Sequence, residues 1–204
     1  MKIAVLGATG QTGQYLVNQA LQQGHTVTAI VRNPGKLAVH HEKLKVVEAD
    51  IFSADSLKVH FRGQDVILSC LGFPISFFSA VTGYSLSMSS VVAAMREARS
   101  GVNSPYLIRF LMLPMIRTLL TNMYEMEQFL QKTEDITWTV VRPAGLKNLP
   151  ASAQEFLTQE GYFVPNGKDY TVSHSVGRGD VARFMLSLLN SNAWVKKGVA
   201  IATK

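Results

Sequence analysis

Three glycines, Gly7, Gly10 and Gly13, recur at intervals of three, directly behind the short apolar run Lys2 to Leu6 and ahead of a stretch with helical spacing. Residues without side chains let the main chain turn sharply and let a diphosphate approach it closely. The first amides of a following helix have no partner inside the helix and point at such an anion. Thr9, Gln11 and Thr12 lie between the glycines and add side-chain donors. The chemistry implied is the binding of a dinucleotide pyrophosphate.

The end of the next apolar run refines this reading. A site for NAD places Asp or Glu there to accept from the ribose hydroxyls, whereas this chain reads AIVRNPGKL and offers Arg32, with Lys36 four residues on. A guanidinium pairs with a phosphate that a carboxylate would repel, so the expected cofactor is NADP (NADPH). Asp50 and Ile51 follow the third apolar run, where the adenine edge would lie. Leu71 and Gly72 follow the fourth, near the ribose and nicotinamide. Asp50 also reads as a plain helix cap.

These residues must be carried by elements that bring them to one edge. KIAVL (Lys2 to Leu6), TVTAIVR (Thr26 to Arg32), LKVVEAD (Leu44 to Asp50) and DVILSCLG (Asp65 to Gly72) read as strands, with TWTVVRP (Thr137 to Pro143) and GVAIAT later. Helical spacing from Thr12, broken at Gly24, and again in SADSLKVHF, SLSMSSVVAAMREARS and DVARFMLSLL, alternates with them. Strand and helix in alternation, with strands apolar throughout, predict an α/β fold: a Rossmann-like, doubly wound parallel sheet flanked by helices, as a single domain over residues 1–204. In such a sheet, ligands lie beyond the carboxyl ends of the strands, so the positions above converge.

Composition narrows the functions further. A chain of 204 residues that is 47% hydrophobic supports one sizeable core. Its net charge of +6 is spread along the chain and not gathered in a basic tail, so nucleic acid is not an expected partner. The single cysteine, Cys70, sits in an apolar run as a buried thiol, and the histidines lack the spacing of a zinc site. The apolar opening is too short for a signal peptide, which predicts a cytoplasmic setting. The apolar stretch LIRFLMLPMIRTLL holds Arg109, Pro114 and Arg117, so no transmembrane segment is expected there. It reads as buried against protein, with self-association or a partner contact through 105–120 as one form of that burial and a surface flap or a membrane-touching helix as the alternatives.

With those residues in view, the spacing G-x-x-G-x-x-G and the opening KIAVLGATGQTGQYLVNQALQQGHTVTAIVRNPGKL resemble the biliverdin-IX-beta reductase and flavin reductase family, among the atypical short-chain dehydrogenases. VVEADIFSADSL, GQDVILSCLG, MYEMEQFL, WTVVRPAGL and GDVARFML continue the likeness. The resemblance implies an NADPH-binding domain that passes hydride to flavin, quinone or tetrapyrrole-like acceptors. It implies cofactor contacts from the glycine loop, Arg32, Asp50, Ile51, Leu71 and Gly72, with Pro143 and Ala144 beside the nicotinamide. The apolar positions Leu71, Phe73, Pro143 and Leu146 would sort acceptors. A non-catalytic NADPH sensor acting through a protein partner is the alternative.

Two features depart from the family. Between Gly101 and Pro105 there is no β-rich run, so about five strand residues and a loop are expected to be missing after Val102, either omitted or deleted. Short-chain dehydrogenases also pair a tyrosine with a lysine one helical turn on, to lower the phenol pKa. Here Tyr124 is followed by Gln128, leaving Tyr124 as the candidate catalytic residue with half its machinery. Flavin reduction needs less, because the flavin ring accepts the electron pair and can be protonated from water.

Overall fold

The computed structural model describes residues 1–73, 82–98, 106–110, 117–143, 145–162, 164 and 175–204. Strand β1 (Lys2–Leu6) leads through the glycine turn into helix α1 (Gln11–Gln22), then β2 (Thr26–Val31), β3 (Leu44–Glu48), α2 (Ala54–Phe61) and β4 (Val66–Ser69). Helix α3 (Gly83–Ala98), β5 (Tyr106–Phe110), α4 (Arg117–Gln131) and β6 (Trp138–Pro143) follow. The chain continues through β7 (Leu146–Lys147), β8 (Phe156–Glu160), β9 (Val176–Gly177), α5 (Arg178–Ser187) and β10 (Lys197–Thr203).

The main sheet has eight strands in the order β3-β2-β1-β4-β5-β6-β10-β8, and β7 and β9 form a separate two-stranded ladder. Every neighbouring pair in the main sheet is parallel except β8 with β10. The order turns back between β1 and β4, and that switch point opens a crevice at their carboxyl ends. This is the doubly wound Rossmann-like fold that strand and helix alternation predicts.

Period-two alternation divides the strands between two apolar layers. Ile3 and Val5 of β1 join Leu16, Val17, Val181 and Met185 on the α1/α5 side. Ala4 and Leu6 join Leu57, Met88, Val92, Met126 and Leu130 on the side of α2, α3 and α4. Burial on both faces explains why β1 shows no polar alternation.

One expectation fails. The strand thought to be missing after Val102 is present: Tyr106–Phe110 pairs with β4 through Ile67↔Leu107 and Leu68↔Ile108, and with β6 through Arg109↔Val140. An arginine inside YLIRF and apolar residues on both sides hid its period from sequence. Within 105–120, residues Tyr106–Phe110 form this strand and Arg117 begins α4. Positions 105 and 111–116 lie outside the described residues. Helix α5 also begins two residues before the expected Asp180, whose carboxylate accepts from Ser152 N at 2.9 Å and pairs with Arg183.

Candidate functional site

The glycine turn is built by contact with the neighbouring strand. Gly7 has φ +74°, and a side chain there would come within 2.7 Å of the carbonyl oxygen of Cys70. Gly10 N donates to Gly7 O at 3.0 Å and closes the turn. A Cβ on Gly13 would lie 2.1 Å from Gly7 O, so this glycine is what lets α1 pack down on β1. Helix α1 starts at Gln11, behind Gly10 as a cap without a side chain, and has no acidic residue in its first turn. Its leading amides are therefore left to whatever occupies the crevice.

That crevice is a cleft of about 270 Å³. Gly7, Thr9 and Gly10 form its floor, Ile30, Val31 and Arg32 one wall, and Ile51, Cys70, Leu71, Gly72 and Phe73 the other. The structure thus brings together eight of the residues singled out by sequence for the site: Gly7, Thr9, Gly10, Arg32, Ile51, Leu71, Gly72 and Phe73. Asp50 meets Arg32 in an adjoining cavity, where its Oδ1 accepts from Phe52 N at 2.9 Å. Capping of α2 falls to Ser53, which accepts from Ser56 N at 3.2 Å.

The remaining positions are placed differently. Gln11 is exposed at the start of α1, whereas Thr12 and Gly13 are buried. Lys36 is exposed at the end of a short 3-10 turn that Asn33 caps. Pro143 ends β6 on the same sheet edge, two strands beyond β4, and Ala144 lies outside the described residues. Leu146 packs against the α1/α5 layer and not against the cleft. Tyr124, 56% exposed on α4, is not among the residues lining the cleft.

Sequence reading missed a second charged centre. The buried Arg142 of β6 donates from Nε to Glu127 Oε1 at 3.0 Å and from Nη1 to Gly161 O at 2.6 Å. Tyr162 donates its hydroxyl to Glu127 Oε2 at 2.9 Å, and its ring lies 4.1 Å from the guanidinium carbon. Burial, and then the charge of Glu127 beside it, push the Tyr162 phenol up to about 12. That phenol is held protonated as a donor, the opposite of an activated proton shuttle. The sequence signal was an arginine at an inward position of a strand otherwise buried throughout.

Among the described residues, no three histidine, cysteine or acidic side chains are placed to hold a metal ion, and no helix is long and apolar enough to cross a membrane. An uncapped helix start, a turn that admits no side chain and a guanidinium without an ion-pair partner among the described residues together fit a diphosphate-bearing nucleotide.

Comparison with known proteins agrees. The chain belongs to the NAD(P)H-binding family, which it matches over residues 7–192. An uncharacterized chloroplastic protein of Arabidopsis thaliana is 28% identical over 182 residues, which is 78% of this chain and 64% of that protein. Eugenol synthase 2 of Clarkia breweri is 32% identical over 81 residues, 35% of this chain and 26% of the enzyme. The chain therefore spans less than two thirds of either relative. Among solved structures, a short-chain dehydrogenase/reductase from Veillonella parvula in complex with NADP superposes with a TM-score of 0.75 at 17% identity, over 98% of this chain and 94% of the other. An NADH-flavin reductase candidate from Streptococcus pneumoniae gives 0.76 at 20% identity over the whole of both chains. At such identities the structural likeness speaks for the fold, and the family resemblance seen in sequence holds at the level of NAD(P)H binding.

Proposed function

We propose that the protein is an NADPH-dependent oxidoreductase that reduces flat, conjugated acceptors, with flavins first and quinones or tetrapyrrole-like molecules as further members of the class. The observation that carries this reading is the cleft at the carboxyl ends of β1 and β4, with an open helix start on its floor and Arg32 on its wall. When bound, the nicotinamide supplies a hydride. What the chain supplies is grip and orientation.

In this reading the α1 amides and the glycine turn hold the diphosphate, with Thr9 and Gln11 as side-chain donors and Thr12 and Gly13 keeping α1 against β1. Arg32, supported by Lys36, selects the 2′-phosphate. Asp50 and Ile51 border the adenine, and Leu71, Gly72 and Phe73 wall the passage towards Pro143 and Ala144 at the nicotinamide end. Tyr124 is dispensable for flavin, whose reduced ring takes its proton from water, and gains a role only with acceptors that need an acid. Flavin comes first because of the likeness to the Streptococcus pneumoniae protein. The single, buried cysteine suits a reducing compartment such as the cytoplasm.

NADPH oxidation with FMN, FAD and a quinone series tests the proposal. Turnover is expected, with Arg32→Glu lowering kcat/KM for NADPH by about 100-fold and for NADH by less than about threefold, the scale of a lost charge-assisted phosphate contact. Calorimetry that registers no heat with either nucleotide, or tight binding with no turnover on any acceptor, overturns it.

A further inference from the structure

The two margins of the main sheet are guarded differently. At one margin, β3 carries Lys45 within the strand and Lys43 just before it, the kind of charge that keeps a free edge from pairing with another chain. At the other lies β8, whose sequence FLTQE has no lysine and no proline. Thr158, Gln159 and Glu160 are exposed, and no described element pairs with the outer side of this strand.

The register against β10 decides which main-chain groups look outward. Gly161 N donates to Gly198 O and Lys204 N to Glu155 O, both at 3.2 Å, and these bonds extend the ladder of Val199↔Glu160 to Thr203↔Phe156 by one residue at each end. Antiparallel bonding alternates along a strand. Leu157 and Gln159 therefore bond inward in step with Glu155 and Gly161, whereas Phe156, Thr158 and Glu160 turn their N–H and C=O groups away from the sheet. Those outward groups have no hydrogen-bond partner among the described residues.

This edge complements itself. A second β8 laid antiparallel about a two-fold axis at Thr158 puts Thr158 opposite its own copy and Phe156 opposite Glu160, so that every outward N–H meets an outward C=O. The side chains agree. Phe156 lies on the α5 side, its ring 5.0 Å from that of Phe184 and 4.0 Å from the Arg183 guanidinium carbon. Glu160 shares that face by period two, so the Glu160 carboxylate of a second copy arrives on the side where Arg183 lies, twice over by symmetry.

We infer that β8 is a self-association edge: two copies of the chain pair through Phe156–Glu160, antiparallel and centred on Thr158, into one continuous sheet. The nucleotide cleft stays open in that pair, because β5, β6 and β10 stand between β4 and β8. The inference is independent of the nucleotide reading.

Sedimentation equilibrium of the full chain over a range of concentrations, with thermal melting as the check on folding, tests this. A monomer–dimer equilibrium is expected. Thr158→Pro removes an outward N–H where an edge strand tolerates proline, and should raise the dissociation constant at least about 10-fold. Thr158→Lys sets two like charges opposite each other on the axis and should raise it about fivefold, with recovery at high salt; it decides the matter should the proline variant fail to fold. Glu160→Lys, brought to the side of Arg183 in the other copy, should also raise it about fivefold. Thr158→Cys reads the register directly, because opposite residues of a bonded pair lie about 5.5 Å apart at Cα, within disulfide range, and the chain's own cysteine is buried. It should cross-link on mild oxidation, and Gln159→Cys, opposite Leu157, should not. A chain that stays monomeric up to about 1 mM overturns the inference. So does a dimer indifferent to every Thr158 substitution, or one that Gln159→Cys cross-links in preference to Thr158→Cys.

Discussion

Arg32 and Arg142 are one residue type in two opposite settings. Arg32 ends β2 in the open, at the junction of two cavities, with no ion-pair partner among the described residues. Arg142 lies near the end of β6 with its side chain 8% exposed against a Glu127 that is 3% exposed. A carboxylate, a carbonyl and an aromatic ring satisfy it. Even the strand beneath makes room, for a Cβ on Gly198 would come 2.2 Å from the guanidinium carbon. A buried guanidinium must be matched within the fold, because the desolvation of an unmatched charge exceeds what a small domain tolerates. An exposed one at a cleft wall is matched by solvent until a ligand arrives. Thus the half of the sheet around β1 and β2 keeps polar capacity in reserve, whereas the half around β6 and β10 has used its own.

The contrast is broken most severely by Glu127→Gln. It leaves Arg142 buried without its counter-charge and should lower unfolding free energy by about 3–5 kcal/mol, read from the urea midpoint. Loss below about 1 kcal/mol would mean that the pair is solvated, and that the two arginines are less different than their burial indicates. Gly13→Ala comes next, since its methyl has no room beside Gly7 O. About 2–3 kcal/mol of stability should go, together with nucleotide binding, because α1 must lift from β1.

Arg32→Gln reverses the pattern. Thermal denaturation without ligand should change by no more than about 0.5 kcal/mol, while NADPH affinity falls by about 10-fold to 100-fold and NADH affinity holds. The smallest effect concerns Tyr162. A folded-state phenol raised to about 12 gives a contribution fully present below the ordinary tyrosine range and lost as pH rises through the folded value. Stability should therefore decline as pH climbs from about 10 to about 12, the span between the unfolded and folded phenols, and Tyr162→Phe should flatten that decline in pH-dependent urea titrations.

The sequence showed the open arginine and concealed the saturated one, for a physical reason. A nucleotide cleft at a topological switch point is assembled from residues at strand ends, each next to a glycine or a turn, so Gly7, Arg32, Ile51 and Leu71 carry their meaning locally. Glu127, Arg142 and Tyr162 are separated by 15 and 35 residues and belong to a helix, a strand and a turn, none of which marks the others. Strand β5 was hidden differently: in YLIRFLMLPM nearly every residue is apolar, so neither the strand nor the helix period stands out. Tyr124 is a motif fragment that sequence alone offers, and on α4 it is exposed and not among the residues lining the cleft.

What the chain alone determined is the βαβ start, the glycine turn, the doubly wound class and the cation at the end of the second strand, because each follows from short-range sterics, periodicity and charge. Tertiary structure alone decided that Tyr106–Phe110 fills the middle of the sheet and that Arg142 and Glu127 neutralise one another. Those outcomes depend on which elements are stacked side by side, and stacking is set by the burial of whole faces rather than by any residue's neighbours in the chain.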